Sequence, residues 1–415
     1  MNRVVVLKEI AFITMGQSPA GETCNNIGRG DPLLNGPTEF GEFYPTPVQF
    51  TTDGKRFCEP EDILFCVRGS TTGRTNRADK KYAVGRGLAA LSHRSGKHLN
   101  SFLMYLIRQN LGCILNSTNG STFPNLTGDL LASFKVSVPP VPVQEKIAAV
   151  LSTLDAKIEL NNRINAELEA MAKTLFDYWF VQFDFPDKKG RPYKSSGGKM
   201  VYNDQLKREI PDGWGVERLG IAFSSSRGIS YSSKNTGGAG VPMINLASFA
   251  VSGEYNHDGL KFYSGDVADS KKLTSFSLVM CNTQQTAIDY SKDIIGKAFL
   301  VPDIFEGDVV SSHHVTHIRV SRESLKFYLH RLFNTDHFHK YVTGYCSGTN
   351  IMGLIFSGVE NYAAEMPPDE VLEPFADLMK SIEQRKSIVI KETQQLTELR
   401  DWLLPMLMNG QVQVR

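Results

Sequence analysis

The segment 67–77 (VRGSTTGRTNR) carries three arginines, several hydroxyl groups and two glycines, and it contains no carboxylate. Arginine can pair with both acceptors of a guanine edge, while Ser, Thr and Asn reach phosphates or base edges. Glycine lets a backbone approach another surface closely. A flexible surface turn with solvated charges is the alternative. The density of arginine without a carboxylate partner favours contact with nucleic acid.

Positive charge is concentrated around this segment. The whole chain has a net charge of +1, yet residues 66–110 hold nine Lys and Arg against the single acid Asp79. Such clustering is typical of a surface that contacts phosphates. The candidate DNA-binding residues of this region are Arg68, Ser70, Thr71, Thr72, Arg74, Asn76, Arg77, Lys80, Lys81 and Arg86.

Polar loops elsewhere complete the candidate set. The segment 282–286 follows a strand-like run as 67–77 does, and its glutamines could read adenine. Two Gly/Ser/Thr/Asn turns, at 117–122 and 347–350, have matching sequences, and a histidine cluster lies at 313–317. The further candidates are Asn119, Ser121, Thr122, Gln284, Gln285, Thr286, His313, His314, Thr349 and Asn350.

No pattern in the chain indicates catalysis. The chain lacks a phosphate-binding P-loop, a G-x-S-x-G motif and an H-E-x-x-H motif, so we expect no catalytic and no cofactor-binding residue. His313 and His317 would share one face of a strand, but neither Cys nor an acid stands at ligand spacing. Polar surface or phosphate contact is therefore favoured over zinc. The six cysteines include no C-x-x-C pair and are expected to be buried thiols.

The chain resembles itself at a fixed shift. Gly120-Ser121-Thr122 and Leu126 align with Gly348-Thr349-Asn350 and Leu354, a shift of 228, which also carries Pro139-Pro140 onto Pro367-Pro368. The beginnings align at a shift of 212, and residues 63–66 match 278–281. Two copies of one unit are therefore predicted.

Each copy ends in a segment with a seven-residue apolar repeat. Residues 143–180 contain neither Pro nor Gly, and residues 369–404 contain only Pro374, near the start. Such heptads indicate paired, coiled-coil helices, and Asn161 in the apolar seam is expected to fix their register. Residues assigned to the helix-pair or subunit interface are Ile147, Leu151, Leu154, Ile158, Leu168, Leu175, Trp179, Phe375, Ile382, Val389, Leu396 and Leu403.

These elements predict an α+β fold with a pseudo-two-fold internal repeat. Two mixed α/β domains, mostly sheet, are expected at 1–140 and 210–365, separated by two long antiparallel coiled-coil helices at 141–182 and 366–415, the second including the C-terminal tail. A Pro/Gly/Ser/Lys-rich loop at 183–209 links the copies. At 415 residues and 41% hydrophobic, without an apolar run of about 18, a globular cytoplasmic protein is expected.

The chain resembles the specificity subunits of type I restriction-modification systems over essentially its whole length. The resemblance lies in the doubled organisation, Pro139-Pro140 followed by Gln144-Glu145-Lys146-Ile147, the Leu154–Ile158 stretch, Ile210-Pro211-Asp212-Gly213-Trp214, Leu33–Pro37 and the segment Arg68–Arg77. It implies two target recognition domains, each reading half of a bipartite double-stranded DNA site, and helices that act as spacer and dock. The implied partners are two methyltransferase subunits and ATP-dependent restriction subunits. S-adenosylmethionine, ATP and Mg would then be bound by those partners.

Two other functions stay open at this stage. A self-contained DNA methyltransferase or nuclease would act alone, and a coiled-coil adaptor would scaffold proteins without reading DNA. The second domain departs from the expected basic character, since residues 211–365 hold 13 Lys and Arg against 15 acids. Its DNA face must therefore be local, or rich in histidines and amides.

Overall fold

The computed structural model of the chain describes residues 2–41, 43–117, 125–285 and 292–414. These residues form two units. Unit 1 comprises Met1–Leu160 and Thr393–Arg415, and unit 2 comprises Asn161–Glu392. The boundaries fall within two long helices, so each long helix contributes one part to each unit.

Unit 1 combines short strands with three shorter helices and the start of a long one. In chain order they are β1 (Arg3–Val6), α1 (Leu7–Ile10), β2 (Ala11–Met15), β3 (Cys24–Asn25), β4 (Asp31–Leu34), β5 (Gln49–Thr51), β6 (Phe57–Cys58), β7 (Ile63–Cys66), β8 (Thr75–Arg77), β9 (Tyr82–Val84), β10 (Leu88–His93), α2 (Asn100–Asn116), α3 (Gly128–Ser133), β11 (Lys135–Val138) and α4 (Val141–Phe176). The sheets have the strand orders β2-β10-β7-β8, β3-β5-β4-β9-β6 and β1-β11.

The apolar run Ile63-Leu64-Phe65-Cys66 is explained by burial on both faces of β7. Ile63 and Phe65 lie in one core with α2, while Leu64 and Cys66 lie in a second core with Tyr82. Successive side chains of a strand point to opposite faces, so a strand covered on both sides needs no polar residues. The same strand therefore joins the two layers of the unit.

Unit 2 contains β12 (Met200–Asn203), β13 (Arg208–Pro211), β14 (Gly215–Arg218), β15 (Phe223–Arg227), β16 (Thr236–Gly237), β17 (Val241–Ile244), β18 (Lys261–Tyr263), β19 (Lys272–Leu273), β20 (Leu278–Cys281), β21 (Thr283–Gln285), β22 (Ala298–Leu300), β23 (Val309–Ser311), β24 (Val315–Val320), α5 (Glu323–Phe333), α6 (Asp336–Thr343), β25 (Cys346–Ser347), β26 (Ile351–Leu354), α7 (Ser357–Asn361) and β27 (Ala363–Met366). It also contains the rest of α4 and the first part of α8 (Asp369–Met408). Its two larger sheets have the orders β15-β24-β20-β22 and β16-β18-β17-β23-β19. These orders match the two larger sheets of unit 1, strand for strand. The smaller sheets are β12-β13, β14-β27 and β21-β26-β25.

The two long helices run antiparallel within each unit. In unit 1, Lys146 of α4 donates to the Val414 carbonyl at 3.4 Å, and Asp155 accepts from Arg400 of α8 at 2.8 Å. In unit 2, the Asn161 amide donates to Glu392 at 2.9 Å, and Glu169 accepts from Lys386 at 2.6 Å. Residue numbers thus rise along α4 as they fall along α8. A π-helical turn, Asp177–Val181, follows α4.

Two local expectations from the sequence were wrong. The predicted loop 183–209 contains β12 and the start of β13, which form an antiparallel hairpin. The alternating apolar and polar residues of 132–138 also predict a strand, but β11 begins only at Lys135, because the residues before it complete α3. Among the described residues, none of the helices combines the length and the apolar character that crossing a membrane requires.

Candidate nucleic-acid interface

The arginine-rich segment of unit 1 is the loop of a β-hairpin. Strands β7 and β8 pair from Ile63 with Arg77 to Phe65 with Thr75. Gly73 N donates to the Cys66 carbonyl at 2.9 Å and closes the loop. Gly73 has φ +98°, and a Cβ there would stand 2.7 Å from Leu111 Cδ1 of α2. Glycine is thus required for this loop to lie against the helix.

Two backbone hydrogen bonds anchor the loop beside a second turn. Val67 N donates to the Gly87 carbonyl at 2.9 Å, and the Val67 carbonyl accepts from Leu126 N at 2.9 Å. Arg68 is next to Val67 in the chain, and Arg86 is next to Gly87. The bond between Val67 and Gly87 therefore brings these two exposed arginines to neighbouring positions. Arg86 lies in the turn that joins β9 to β10.

Most basic side chains here remain available for a partner. Arg68, Arg74, Arg86, Lys80 and Lys81 are exposed and form no ion pair with any described residue. The ammonium of Lys81 stands 4.3 Å from the centre of the Phe57 ring, and that of Lys80 5.6 Å from the Tyr82 ring. These ring contacts leave both charges uncompensated.

Two residues of the predicted set have partners within the unit. Arg77 forms an ion pair with Glu61, in which its Nε lies 2.9 Å from Oε2, so the expectation of arginines without carboxylates fails at this position. Asn76 is buried, and its amide donates to the Gly41 carbonyl at 2.8 Å while its oxygen accepts from Arg77 N. Asn76 therefore holds the hairpin and presents no group to a ligand.

The hydroxyl residues of the loop divide in the same way. Ser70 is exposed, whereas Thr71 and Thr72 are half-buried. Thr72 Oγ1 donates to the Gly69 carbonyl at 2.7 Å, and Thr71 Oγ1 lies 3.7 Å from Cys66 Sγ. Asn119, Ser121, Thr122 and Thr286 lie outside the described residues, as does the side chain of Gln285.

Unit 2 repeats the anchoring of unit 1 with other residues. The shared feature is a set of backbone hydrogen bonds that fasten one loop and one turn to the same sheet edge. The bond from Val67 N to Gly87 O corresponds to that from Asn282 N to His314 O, and the bond from Leu126 N to Val67 O to that from Leu354 N to Asn282 O. At the turn, Gly85 N to Leu34 O corresponds to Ser312 N to Ile244 O, and Leu88 N to Gly85 O to Val315 N to Ser312 O. The last pair is Gly16 N to Leu88 O and Gly228 N to Val315 O. By this correspondence His313 occupies the place of Arg86, and Thr283 that of Arg68.

The predicted base-reading role of Gln284 conflicts with its surroundings. Gln284 is buried; its nitrogen donates to Asp293 at 2.5 Å, and its oxygen accepts from Ile294 N at 2.7 Å and Ile295 N at 3.0 Å. Both the nitrogen and the oxygen of the amide are thus bonded inside unit 2. Thr349 and Asn350 are exposed, in the turn between β25 and β26.

The histidine pair lies in the turn between β23 and β24. The rings of His313 and His314 have centres 3.9 Å apart, and His314 Nδ1 lies 2.7 Å from Thr283 Oγ1. Burial, followed by the charges of His313, Arg227 and Lys261, lowers the pKa of His314. Burial also lowers the pKa of His317 to about 4. No group of three or more metal-ligating side chains occurs in the described part of the chain.

Arg227 and Lys261 are candidates that the sequence reading missed. Arg227 ends β15, where it pairs with Thr316, and exposed Lys261 pairs with Met243 in the position that Gln49 holds in unit 1. Neither forms an ion pair with a described residue. The sequence carries one signal for both residues. The 212-residue shift aligns Arg227 with Met15 and Lys261 with Gln49, so two uncharged residues of unit 1 are replaced by cations in unit 2.

The predicted helix-interface residues lie largely in the cores of the units. Within unit 1, Ile147, Leu151 and partly buried Leu403 pack with α2 residues, while Leu154, Ile158 and Leu396 are half-buried. Within unit 2, the members buried in the core are Trp179, Phe375 and Ile382, with Leu168 and Leu175 packed against them, and Val389 is also buried. Trp179 is 5% exposed and stands 5.5 Å from the Phe375 ring, so it closes the core at the end of the helix.

In each unit, an arginine of a shorter helix, called the domain helix (α2 in unit 1, α5 in unit 2), forms ion pairs with the long helices. In unit 2, Arg331 of α5 is buried and pairs with Glu169 of α4 and, at 2.6 Å, with Glu383 of α8. Burial raises the pKa of Glu169, but Arg331 and Lys386 outweigh it and hold that pKa far below its usual range. In unit 1, Arg108 of α2 pairs with Asp401 of α8 at 3.1 Å, at the surface.

Comparison with known proteins shows what this chain is similar to. The family model described as "Type I restriction modification DNA specificity domain" matches residues 4–170. The chain is 27% identical over 370 residues to the MjaIX specificity subunit of a type I restriction enzyme from Methanocaldococcus jannaschii, covering 86% of this chain and 78% of that one. It is 24% identical over 406 residues to the HindI specificity subunit from Haemophilus influenzae, covering 86% and 88%. A crystal structure of the type I S subunit from M. genitalium has the same fold, with TM-score 0.60, 15% identity and coverage of 98% and 96%.

Proposed function

Since residues 4–170 match the family model of the type I restriction modification DNA specificity domain and the similarity to specificity subunits extends over most of the chain, we propose that each unit reads one half of a bipartite DNA site. Type I specificity subunits are non-catalytic and serve sequence recognition. The two halves would be unlike, because the side chains of the two candidate faces differ. Methylation would be performed by partner subunits in the cytoplasm.

The shared anchoring of loop and turn in the two units carries this proposal. In unit 1 the anchored loop and turn present Arg68, Arg74 and Arg86 without carboxylate partners. In unit 2 the corresponding loop and turn present Thr283, His313 and His314. Arginine neutralises phosphates and reads guanine, whereas a hydroxyl and imidazoles form single hydrogen bonds. One scaffold that displays two different sets of groups suits recognition of two different sequences.

The long helices suit two tasks, spacing and docking. Helix α4 spans 36 residues and α8 spans 40, which corresponds to about 54 and 60 Å at 1.5 Å per residue. Met171, Leu399 and Trp402 are exposed on these helices, with Trp402 at 56%. Exposed large apolar side chains on a helix suit a partner helix or subunit. Two methyltransferase subunits, with restriction subunits bound through them, are the partners we propose.

Mapping methylated bases tests the proposal directly. The chain is expressed in a host with its cognate methyltransferase subunit, and modified bases are located across the genome at single-base resolution. We expect one gapped motif with two unlike halves, which disappears when the chain is omitted. Substituting Arg68 and Arg86 with alanine should relax or abolish one half only. Methylation that is independent of the chain would instead support the adaptor function, and activity of the chain alone would support a self-contained methyltransferase.

Removing one heptad tests the spacer role. Deletion of seven residues from α4 alone should disturb the pairing with α8 and prevent assembly. Deletion of seven residues from α4 together with the facing seven of α8 preserves the pairing and shortens the helices by about 10 Å, or about three base pairs. We expect the paired deletion to methylate the same half-sites across an altered gap. An unchanged gap in an active complex would refute the spacer role.

A further inference from the structure

Several positively charged groups lie near the turn that carries His313 and His314, and neither histidine forms an ion pair with a described carboxylate. It joins β23 to β24, and the chain around it contributes Arg227 at the end of β15, Lys261 of β18 and the aromatic side chain of Tyr231, whose ring centre lies 5.8 Å from that of His313. From the loop that follows β20, Thr283 binds His314 Nδ1. A dianionic or monoanionic group would be attracted here, although unit 2 as a whole is acidic.

One imidazole nitrogen is available for such a group. His314 Nδ1 is taken by the Thr283 hydroxyl at 2.7 Å, and no described residue binds Nε2. The Nδ1 atom of neighbouring His313 is buried without a partner among the described residues. In the corresponding turn of unit 1, Arg86 carries a permanent charge in place of His313. Guanidinium cannot lose its proton near neutral pH, whereas imidazole can.

We propose that the His313–His314 turn binds a phosphate of the DNA backbone and takes up one proton from solvent at His314 Nε2 as it does so. This inference rests on the proposed function. The bound phosphate adds negative charge where the free turn faces Arg227, Lys261 and a second imidazole. Protonated His314 then donates from both nitrogens, to Thr283 and to a phosphate oxygen. The basic face of unit 2 is thus completed only in the complex.

The sign of the resulting pH dependence follows from linkage. In the free protein, burial and then the charges of His313, Arg227 and Lys261 lower the pKa of His314, which favours the neutral ring. Phosphate raises that pKa in the complex. Binding is then strongest below both pKa values and weakens as pH rises between them, by at most tenfold per pH unit for one proton. The arginines of unit 1 contribute no such dependence.

Binding by the assembled complex tests the inference. The chain with its methyltransferase subunits is titrated against a duplex carrying the mapped site, at constant salt, from about pH 5.5 to 8.5. We expect the affinity to fall with rising pH for the natural chain and to be nearly constant for His314→Gln, whose amide is polar but does not titrate. Arg86→Ala is the matched control and should weaken binding while leaving the pH dependence intact.

A second measurement does not depend on the stability of a variant. Calorimetric titration of the unaltered complex in buffers of different ionisation enthalpy counts the protons taken up on binding. Uptake of a fraction approaching one proton near pH 7, absent in His314→Gln, supports the inference. An unchanged pH dependence in His314→Gln, or no uptake, overturns it while specific binding persists. Failure of the proposed function would look different, because the unaltered complex would then show no preference for the mapped site over a scrambled duplex at any pH.

Discussion

Units 1 and 2 share strand order and backbone anchoring, yet differ in the groups that they expose and in how they attach to the long helices. Arg86 and Arg68 of unit 1 correspond to His313 and Thr283 of unit 2. The arginine of the domain helix is exposed in unit 1 and buried in unit 2. The backbone can therefore be kept while the surface chemistry and the local electrostatics change.

The largest expected effect is a loss of stability, and it should differ between variants of the two domain-helix arginines. Arg331→Met leaves Glu169 and Glu383 with Lys386 as their cation inside unit 2, and removal of one partner from a buried ion cluster costs about 3–5 kcal/mol. Arg108→Met removes an exposed ion pair and should cost at most about 1 kcal/mol. Urea unfolding of the two variants measures both values. Equal losses would show that the two attachments are energetically alike.

The next effect concerns DNA affinity. Arg68→Ala with Arg74→Ala removes two unpaired charges from unit 1, which should reduce the salt slope of binding by about 1 for each phosphate that the variant no longer neutralises. Where an arginine reads a base, specificity at that position should fall by about 1–3 kcal/mol. Salt-dependent binding of the assembled complex provides the measurement. The adaptor function predicts no change in either quantity.

A smaller effect tests whether the amide of Gln284 stabilises unit 2 or reads a base. Gln284→Ala leaves Ile294 N and Ile295 N without their acceptor inside unit 2, which should destabilise the unit by about 1–3 kcal/mol. The corresponding residue of unit 1 is Gly69, with φ +88°, and Gly69→Ala should cost about 1 kcal/mol through backbone strain. Thermal unfolding compares the two. A Gln284→Ala variant that keeps full stability but changes the base preference would show that Gln284 reads a base.

The smallest effect is expected at Arg77. Its ion pair with Glu61 is exposed, so Arg77→Ala should change stability by less than about 1 kcal/mol. Because Glu61 already compensates its charge, DNA affinity should change far less than with Arg68→Ala. The same binding assay at low salt tests this ranking. Equal losses for the two variants would mean that Arg77 leaves Glu61 to contact DNA.

Periodicity and sequence doubling predicted much of this architecture, because long apolar repeats report directly on burial. Helices α4 and α8 and strand β7 lie where those patterns indicate. The orientation of polar side chains was harder to predict. Asn76 stands between exposed Thr75 and Arg77 at the inward position of β8, and this alternation was the available signal. For Gln284 no such signal existed, since its partners come from residues about ten positions away.

The bond between Asn161 and Glu392 has a consequence for how such a helix pair changes in length. Asn161 is fully buried, and its amide nitrogen has Glu392 as acceptor. An insertion or deletion in α4 that is not close to a whole number of turns would rotate Asn161 away from Glu392 and leave a polar group facing apolar side chains. Viable lengths would therefore be discrete. If the helices measure a distance along DNA, that distance would change in steps and would not drift gradually.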